Sequence, residues 1–409
     1  DQNTDINGLT SNGGGVVQES EWHWDKPYSH IRTSNIILAK ANEYDGNQED
    51  IAQSVGTAYF FRAWQHFYLL QYFGGIPIVD HVLDVSDPVL FGVRNSRYEV
   101  IDFIASDLRL AIPLLPKEKD IPESDKGKVS KEAAKAFLAR VLLYEGTWEK
   151  YVPSINYDLD GDGKNDGAGS VKPDNYPSIT DMLTEAKQMA KEVIEEAQTG
   201  TFALWEECDT LSYYYLFNID DKGGNISNFR NAGKSSNKEF IFYKKYDYDL
   251  ARGGINLVHS VLSGYVTNMS ALFGESFLCR NGLPIRISYT GNMADAQNNP
   301  QFLGYETFVG EFRNRDYRFI GCCNSIPDRI SYAAQNPGRE RVDAILPYPT
   351  PVFPKNNEIF DSTDPVYSSA CAVFHPTIRN NSTMGTYSSR KFLIEGANRP
   401  VNTESAEFP

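Results

Sequence analysis

The chain has 409 residues, 41% of them hydrophobic, and carries a formal net charge of −15. That is apolar matter enough for a large core or for more than one lobe. A surface this acidic repels a phosphate backbone and argues against nucleic acid as a partner.

The segment up to Glu21 is rich in Gly, Asn and Ser and reads as loop. Tyr28, Ile31, Asn35, Ile36 and Ala39 then mark a first helix, preceded by Trp22 and Trp24. The stretch 56–79, GTAYFFRAWQHFYLLQYFGGIPIV, is a nearly all-round apolar helix that stops at Gly74-Gly75 and leaves by an extended Ile76-Pro77-Ile78-Val79. Phe60, Ala63, Trp64, Phe67 and Leu70 share one flank, while Tyr59, Phe61, Tyr68, Leu69 and Tyr72 cover much of the other. A helix apolar on both flanks lies between others, so layered helices are expected, with Trp64 and these tyrosines as core. Arg62, Gln65 and His66 interrupt the run, which excludes a membrane span.

A third helix opens at Ser96 with Glu99 three residues on, the spacing of a capping box. Its core face is Val100, Ile104, Leu108 and Ala111, and Pro113 and Pro116 close it. A fourth covers 128–148, packing through Ala133, Ala134, Phe137, Leu138, Val141 and Leu142, and a fifth runs over roughly 179–199 to Gly200. Beyond residue 200 the chain turns rich in Gly, Pro, Asn and aromatics, with strands expected at 239–246 and about 283–289. The fold class expected is mainly α: tetratricopeptide-like helical hairpins over 22–200, then an irregular, loop-rich half with short strands over 201–409.

One loop carries metal-binding spacing. Asp158, Asp160, Asp162 and Asp166 stand at positions 1, 3, 5 and 9 of a calcium loop, with Gly163 at 6 and Lys164 offering its carbonyl at 7. Position 12 is Gly169 rather than Glu, so Asp174 or water would complete the shell around a structural Ca²⁺. The alternative is a solvated acidic turn.

No catalytic constellation stands out. Ala232-Gly233-Lys234-Ser235 imitates the end of a phosphate loop, but Asn228 occupies the first glycine's place. There is no HExxH and no GxSxG, and the six histidines are scattered, His66 reading as a hydrogen-bonded core residue. Five cysteines, with no CxxC spacing, read as small buried side chains.

A binding role would rest on aromatic faces that stack on sugar rings, with Asn, Asp and Arg taking the hydroxyls. The loop-borne candidates are Trp205, Tyr213, Tyr214, Tyr248, Tyr265 and Tyr289, with Tyr215 and Tyr246 beside them. Packing explains a share of any such set; Trp24 reads as structural and Trp22 is left open.

Several of these motifs fall in one order. Trp24, Tyr28, Ile31 and Asn35; Phe61-Arg62-Ala63, Phe67-Tyr68-Leu69 and Phe73-Gly74-Gly75-Ile76-Pro77; Asp107-Leu108, Ala111 and Leu115-Pro116; and most of 128–148 resemble the SusD/RagB-like nutrient-binding lipoproteins. Later matches are Lys238-Glu239-Phe240-Ile241-Phe242, Phe277 with Asn281-Gly282-Leu283-Pro284-Ile285, Asn314-Arg315-Asp316-Tyr317-Arg318, and Arg390-Lys391-Phe392. The resemblance implies a cell-surface, lipid-anchored protein of the outer membrane that captures oligosaccharides as the lid of a SusC-like TonB-dependent transporter, without catalysis. It also implies an N-terminal anchor and a final helix that these residues do not include; with Asp1 in first place, a processed or partial chain is expected. Rival readings are a RagB-like peptide binder, a glycan-degrading enzyme bearing a calcium loop, and a helical scaffold without a small ligand.

Overall fold

The computed structural model of the protein describes residues 22–151, 172–207, 212–217, 236–244, 268–269, 271–288, 297–303, 314–322 and 387–388. The chain divides into two compact units. One comprises Val17–Ala203 and Lys238–Lys245, the other Asp1–Val16, Leu204–Asn237 and Tyr246–Pro409.

The first unit, in its described residues, holds five long helices: α1 (Trp22–Asn42), α2 (Gln48–Phe73), α3 (Arg97–Leu114), α4 (Lys131–Tyr151) and α5 (Ile179–Ala197). Helix α2 begins at Gln48 rather than at Gly56, where its apolar run starts. The extra turns are polar and give no periodic signal. They are set instead by Asn47, whose side chain accepts the Glu49 amide, and by Glu49 and Asp50 against the positive end of the helix dipole. At the other end Gly74 adopts φ +71°, a left-handed conformation that a side chain would strain, and its amide closes on the Leu70 carbonyl. The predicted Ser96–Glu99 capping box forms, and a second one joins Ser178 to Asp181 at the start of α5.

Consecutive helices pack antiparallel. In α2 and α3, Gly56 lies against Leu114 and Leu115, Arg62 against Asp107, and His66 against Phe103. A Cβ on Gly56 would stand 3.0 Å from Leu114 Cβ, so the glycine is what lets the two helices approach there. Helix α2 sits between α1 and α3, as its two apolar flanks require, and reaches α4 through Phe137, whose ring meets Phe60, Trp64 and Phe67 at 5.5, 4.7 and 5.6 Å. Ile31, Phe60, Leu69, Leu70, Ile101, Ile104 and Leu108 are fully enclosed. Each such side chain contributes about 1.5–3 kcal/mol relative to exposure.

Two buried ion pairs thread this core. Arg62 donates from Nε and Nη2 to the Asp107 carboxylate at 2.8 and 2.7 Å, and from Nη1 to Asn35 Oδ1 at 2.9 Å and the Asp80 carbonyl at 2.7 Å. Asn35 in turn donates to the carbonyls of Val79 and His81. One guanidinium therefore joins α1, α2, α3 and the chain leaving α2. Burial pushes the Asp107 carboxyl upward, and the Arg62 fork holds against it. Arg97 at the start of α3 makes a similar fork with Glu145 near the end of α4, lying over the Trp148 ring at 4.3 Å.

The strand expected over 239–246 is not found in its described part, 239–244. Lys238 accepts one bond from the Ala203 amide, while Phe242 is drawn onto Phe60, Phe61 and Trp64. Ile241 and Phe242 are partly buried by packing rather than by a ladder, while Phe240 and Tyr243 stay exposed.

The second unit, in its described residues, contains α6 (Ser212–Tyr215), β1 (Asn268–Met269), α7 (Ala271–Ser276), β2 (Arg286–Ser288), β3 (Gln297–Asn298), α8 (Tyr317–Cys322) and β4 (Tyr387–Ser388). β1 pairs antiparallel with β4, and β2 with β3 through a register irregularity. Gly282, at φ +75°, makes a turn in which its amide donates to the Cys279 carbonyl at 2.9 Å. Arg315 is buried and donates to the carbonyls of Gly274 and Phe277, finishing α7. Cys279 and Cys322 are buried.

Candidate functional site

The antiparallel α1–α2 hairpin brings the first turn of α1, Trp22-His23-Trp24, against the last two turns of α2, which carry Tyr68, Tyr72 and Phe73. Because Gly74 ends α2, those rings stay at the rim of the helical layer. The His23 ring stacks on Tyr72 at 4.5 Å and 17°, and its Nδ1 lies 2.5 Å from the Tyr68 hydroxyl. Tyr68 and Tyr72, one helical turn apart, are 4.8 Å between centroids.

Inward from this array, Trp24 sets its ring edge-on to Phe73 at 5.0 Å, with the Arg94 guanidinium 5.6 Å from its centroid. The Tyr28 hydroxyl donates to the Pro77 carbonyl at 2.8 Å, and burial holds its phenol protonated. Outward, Trp22 is 68% exposed and Tyr72 56%. Lys26 holds its ammonium 5.7 Å from the Trp22 ring. The expectation that Tyr72 is a core residue is thereby corrected: it is largely exposed although His23, Tyr68 and Phe73 lie against its ring. Trp24 is structural as expected, and the open question of Trp22 resolves to exposure.

Flat apolar faces with phenol, imidazole and ammonium groups at their edges can stack on the C–H face of a sugar and take its hydroxyls. The signal for this patch is present in the sequence, as two tyrosines four apart before a helix-ending glycine.

The connector from Gly75 to Asn95 forms a second exposed surface. Its tip shows Val85, Leu90, Phe91 and Val93 to solvent, Phe91 at 77%. Its base is closed by Asn95, whose amide donates to the Ile76 carbonyl at 3.1 Å and whose side chain accepts the Ile78 amide at 3.0 Å. Arg32 of α1 holds the Leu83 carbonyl, and Asp87 caps a 3-10 turn at Pro88–Phe91.

Of the ligand-binding residues expected from sequence, Trp205 is 4% exposed and its indole N–H donates to Ser236 at 2.8 Å. An enclosed ring of this kind packs. Tyr213 of α6 is half-buried, set edge-on to Phe217 at 5.3 Å, with its hydroxyl 3.9 Å from Cys322 Sγ of α8. Tyr214 lies in α6, a four-residue helix, and only its backbone is described. Tyr248, Tyr265 and Tyr289 lie outside the described residues, as does the whole expected calcium loop, Asp158, Asp160, Asp162, Lys164 and Asp166. Among the described residues no group of three or more His, Cys, Asp or Glu is arranged to hold a metal ion, and no helix is long and apolar enough to cross a membrane.

Comparison with known proteins gives a consistent set of likenesses. The SusD-like family model described as "Starch-binding associating with outer membrane" matches residues 11–143. A SusD-like protein of Bacteroides ovatus is 26% identical over 207 residues, covering 49% of this chain and 37% of that protein. The SusD-like protein P2 of Formosa agariphila is 25% identical over 143 residues, covering 35% of this chain and 28% of the relative. The chain thus spans about a third of the length of these curated relatives. A solved SusD-like carbohydrate-binding protein from Bacteroides fragilis is 20% identical, covers 73% of this chain and 45% of its own, and superposes with a TM-score of 0.46.

Proposed function

Starting from a chain that belongs to the SusD-like family, we propose that it is a non-catalytic carbohydrate-binding protein of the outer-membrane surface, held there by a lipid anchor. It captures oligosaccharides and hands them to a SusC-like TonB-dependent transporter. The observation that carries this reading is the exposed array at the α1–α2 rim, where Trp22 and Tyr72 face solvent and His23 stacks behind Tyr72. The family's description, starch-binding and associating with the outer membrane, supports both the ligand class and the location. Binding by stacking and hydroxyl contacts needs no nucleophile or paired general acid and base.

A panel of neutral oligosaccharides and of peptides, tested by calorimetry, decides the ligand class. At least one glycan is expected to bind, and Trp22→Ala with Tyr72→Ala to weaken it by about tenfold or more, the equivalent of about 1.4 kcal/mol. Binding of peptides alone overturns the glycan reading in favour of a RagB-like one. Glycan binding untouched by the double substitution moves the platform away from this rim.

The Asp158–Asp166 loop is proposed to hold a structural Ca²⁺, since four carboxylates so close repel one another without a cation. Removal of the ion by a chelator is then expected to lower Tm and to release calcium measurable by mass spectrometry. An unchanged Tm together with no bound calcium overturns it.

A further inference from the structure

The connector between α2 and α3 contains no regular structure except its short 3-10 turn, and a long irregular segment keeps one shape only where something fastens it. Part of the fastening is ordinary: the Asn35 amide holds the His81 carbonyl, and Arg32 holds that of Leu83. The His81 side chain adds a fastening of another kind. Its Nδ1 lies 2.6 Å from Asp80 Oδ1 and its Nε2 lies 2.6 Å from Asp87 Oδ2.

A carboxylate oxygen can only accept, so each of these contacts calls for an N–H on the ring. Neutral imidazole has one N–H and imidazolium has two. Both bonds exist together only on the charged ring. The side chain is half exposed, so it exchanges its proton directly with solvent.

We propose that His81 is a proton-operated clasp: charged, it ties Asp80 to Asp87 and closes the connector; neutral, it releases one carboxylate and loosens the turn beyond. The release is transmitted because Asp87 does two things at once. While Oδ2 accepts from His81, Oδ1 accepts the Val89 amide at 3.0 Å and so starts the Pro88–Phe91 turn that displays Leu90 and Phe91.

The charges around the clasp leave His81 as the group that switches. Within the connector, Asp84 is engaged by the Ser86 amide and hydroxyl at 2.7 and 2.6 Å and adds a third carboxylate. From α1 comes Arg32, its guanidinium on the Leu83 carbonyl. From α2 comes Arg62, buried and committed to Asp107, Asn35 and the Asp80 carbonyl.

The bonds to Asp80 and then to Asp87 raise the imidazole above its ordinary value of 6.5. A raised value means the closed form is complete below about pH 6.5 and is lost as pH rises through the folded-state value. Asp87, lowered by the Val89 amide and then by His81, keeps its charge to well below that range. The connector is thus closed under mildly acidic conditions and opens toward alkaline pH. This holds whether or not the neighbouring aromatic array binds a glycan.

Hydrogen exchange of peptides spanning the connector, read at about pH 6 and about pH 8.5 and corrected for intrinsic rates, tests the clasp. Protection is expected to fall roughly fivefold or more at the higher pH. His81→Ala is expected to exchange fast at both, while α3 peptides keep their protection and so report an intact fold. Nitrogen NMR of the ring is expected to show both nitrogens protonated at the lower pH. Equal connector protection at the two pH values in the unmodified protein overturns the proposal, even if the variant should fail to fold; so does a folded His81→Ala protein matching wild type at the lower one.

Discussion

Arg62→Met is expected to lower the unfolding free energy by about 3–5 kcal/mol, the cost of leaving one partner of a buried ion pair without the other. The methionine keeps most of the apolar stem and removes every donor. Asp107, nearly enclosed, then holds a carboxylate with no cation, and Asn35 Oδ1 and the Asp80 carbonyl each lose a bond. Denaturant unfolding followed by circular dichroism measures the loss. Adding Asp107→Leu removes the orphaned charge and is expected to restore a large part of it. A single-variant cost under about 1 kcal/mol would mean that the pair, despite its geometry, adds little to the fold.

Acid is expected to weaken the helical unit through one histidine well before most carboxylates titrate. His66 is fully buried, its Nδ1 2.8 Å from the Arg62 carbonyl and its Nε2 3.3 Å from the Val79 amide. Those partners fix the neutral tautomer, Nδ1–H donating and Nε2 accepting. Burial pushes the imidazole down to about 4. The unfolded chain binds its proton near the ordinary value of 6.5, so between the two the unfolded state holds more protons and stability falls as pH falls. A difference of that size is worth on the order of 3 kcal/mol at the acid end. His81 has the opposite sign, being most stabilising below about pH 6.5, but it is exposed and its share is small. Unfolding curves taken at about pH 7 and about pH 5 are expected to differ markedly for wild type and far less for His66→Gln. Identical pH slopes for the two proteins would remove His66 from the account.

Three of the motif residues that carried the family resemblance form one physical object. Asn35, Arg62 and Asp107 came from three separate helical segments and meet in a single buried network. Asn314-Arg315-Asp316 is comparable on a smaller scale, with Arg315 terminating α7. Helices were legible because periodicity and caps are local; the polar opening of α2 was not, because polar turns carry no period. The 239–246 stretch misled because β-branched and aromatic residues mark burial as much as pairing. Tyr72 misled for a related reason. Spacing tells which face a ring occupies, but the neighbour that covers it comes from another helix. Trp205 errs in the opposite direction: expected at a binding surface, it is enclosed, with its indole on Ser236. The fold was therefore more legible than the site: three of the tyrosines expected at a platform, and the acidic loop, lie outside the described residues.

Asn95 gives the connector an evolutionary and engineering character. By closing on Ile76 and Ile78 it brings the two ends of the segment together before the exposed tip begins. What lies between is a cassette mounted on a fixed frame. Each doubling of its length would add only about 0.6 kcal/mol of closure entropy, a small cost so long as the stretch from Val79 to Leu83, which the helices hold, is kept. Residues beyond His81 and Asp87 can be lengthened, shortened or exchanged without disturbing the Arg62 network. Such a position lets selection, or a designer, rewrite a surface while the scaffold beneath it stays the same.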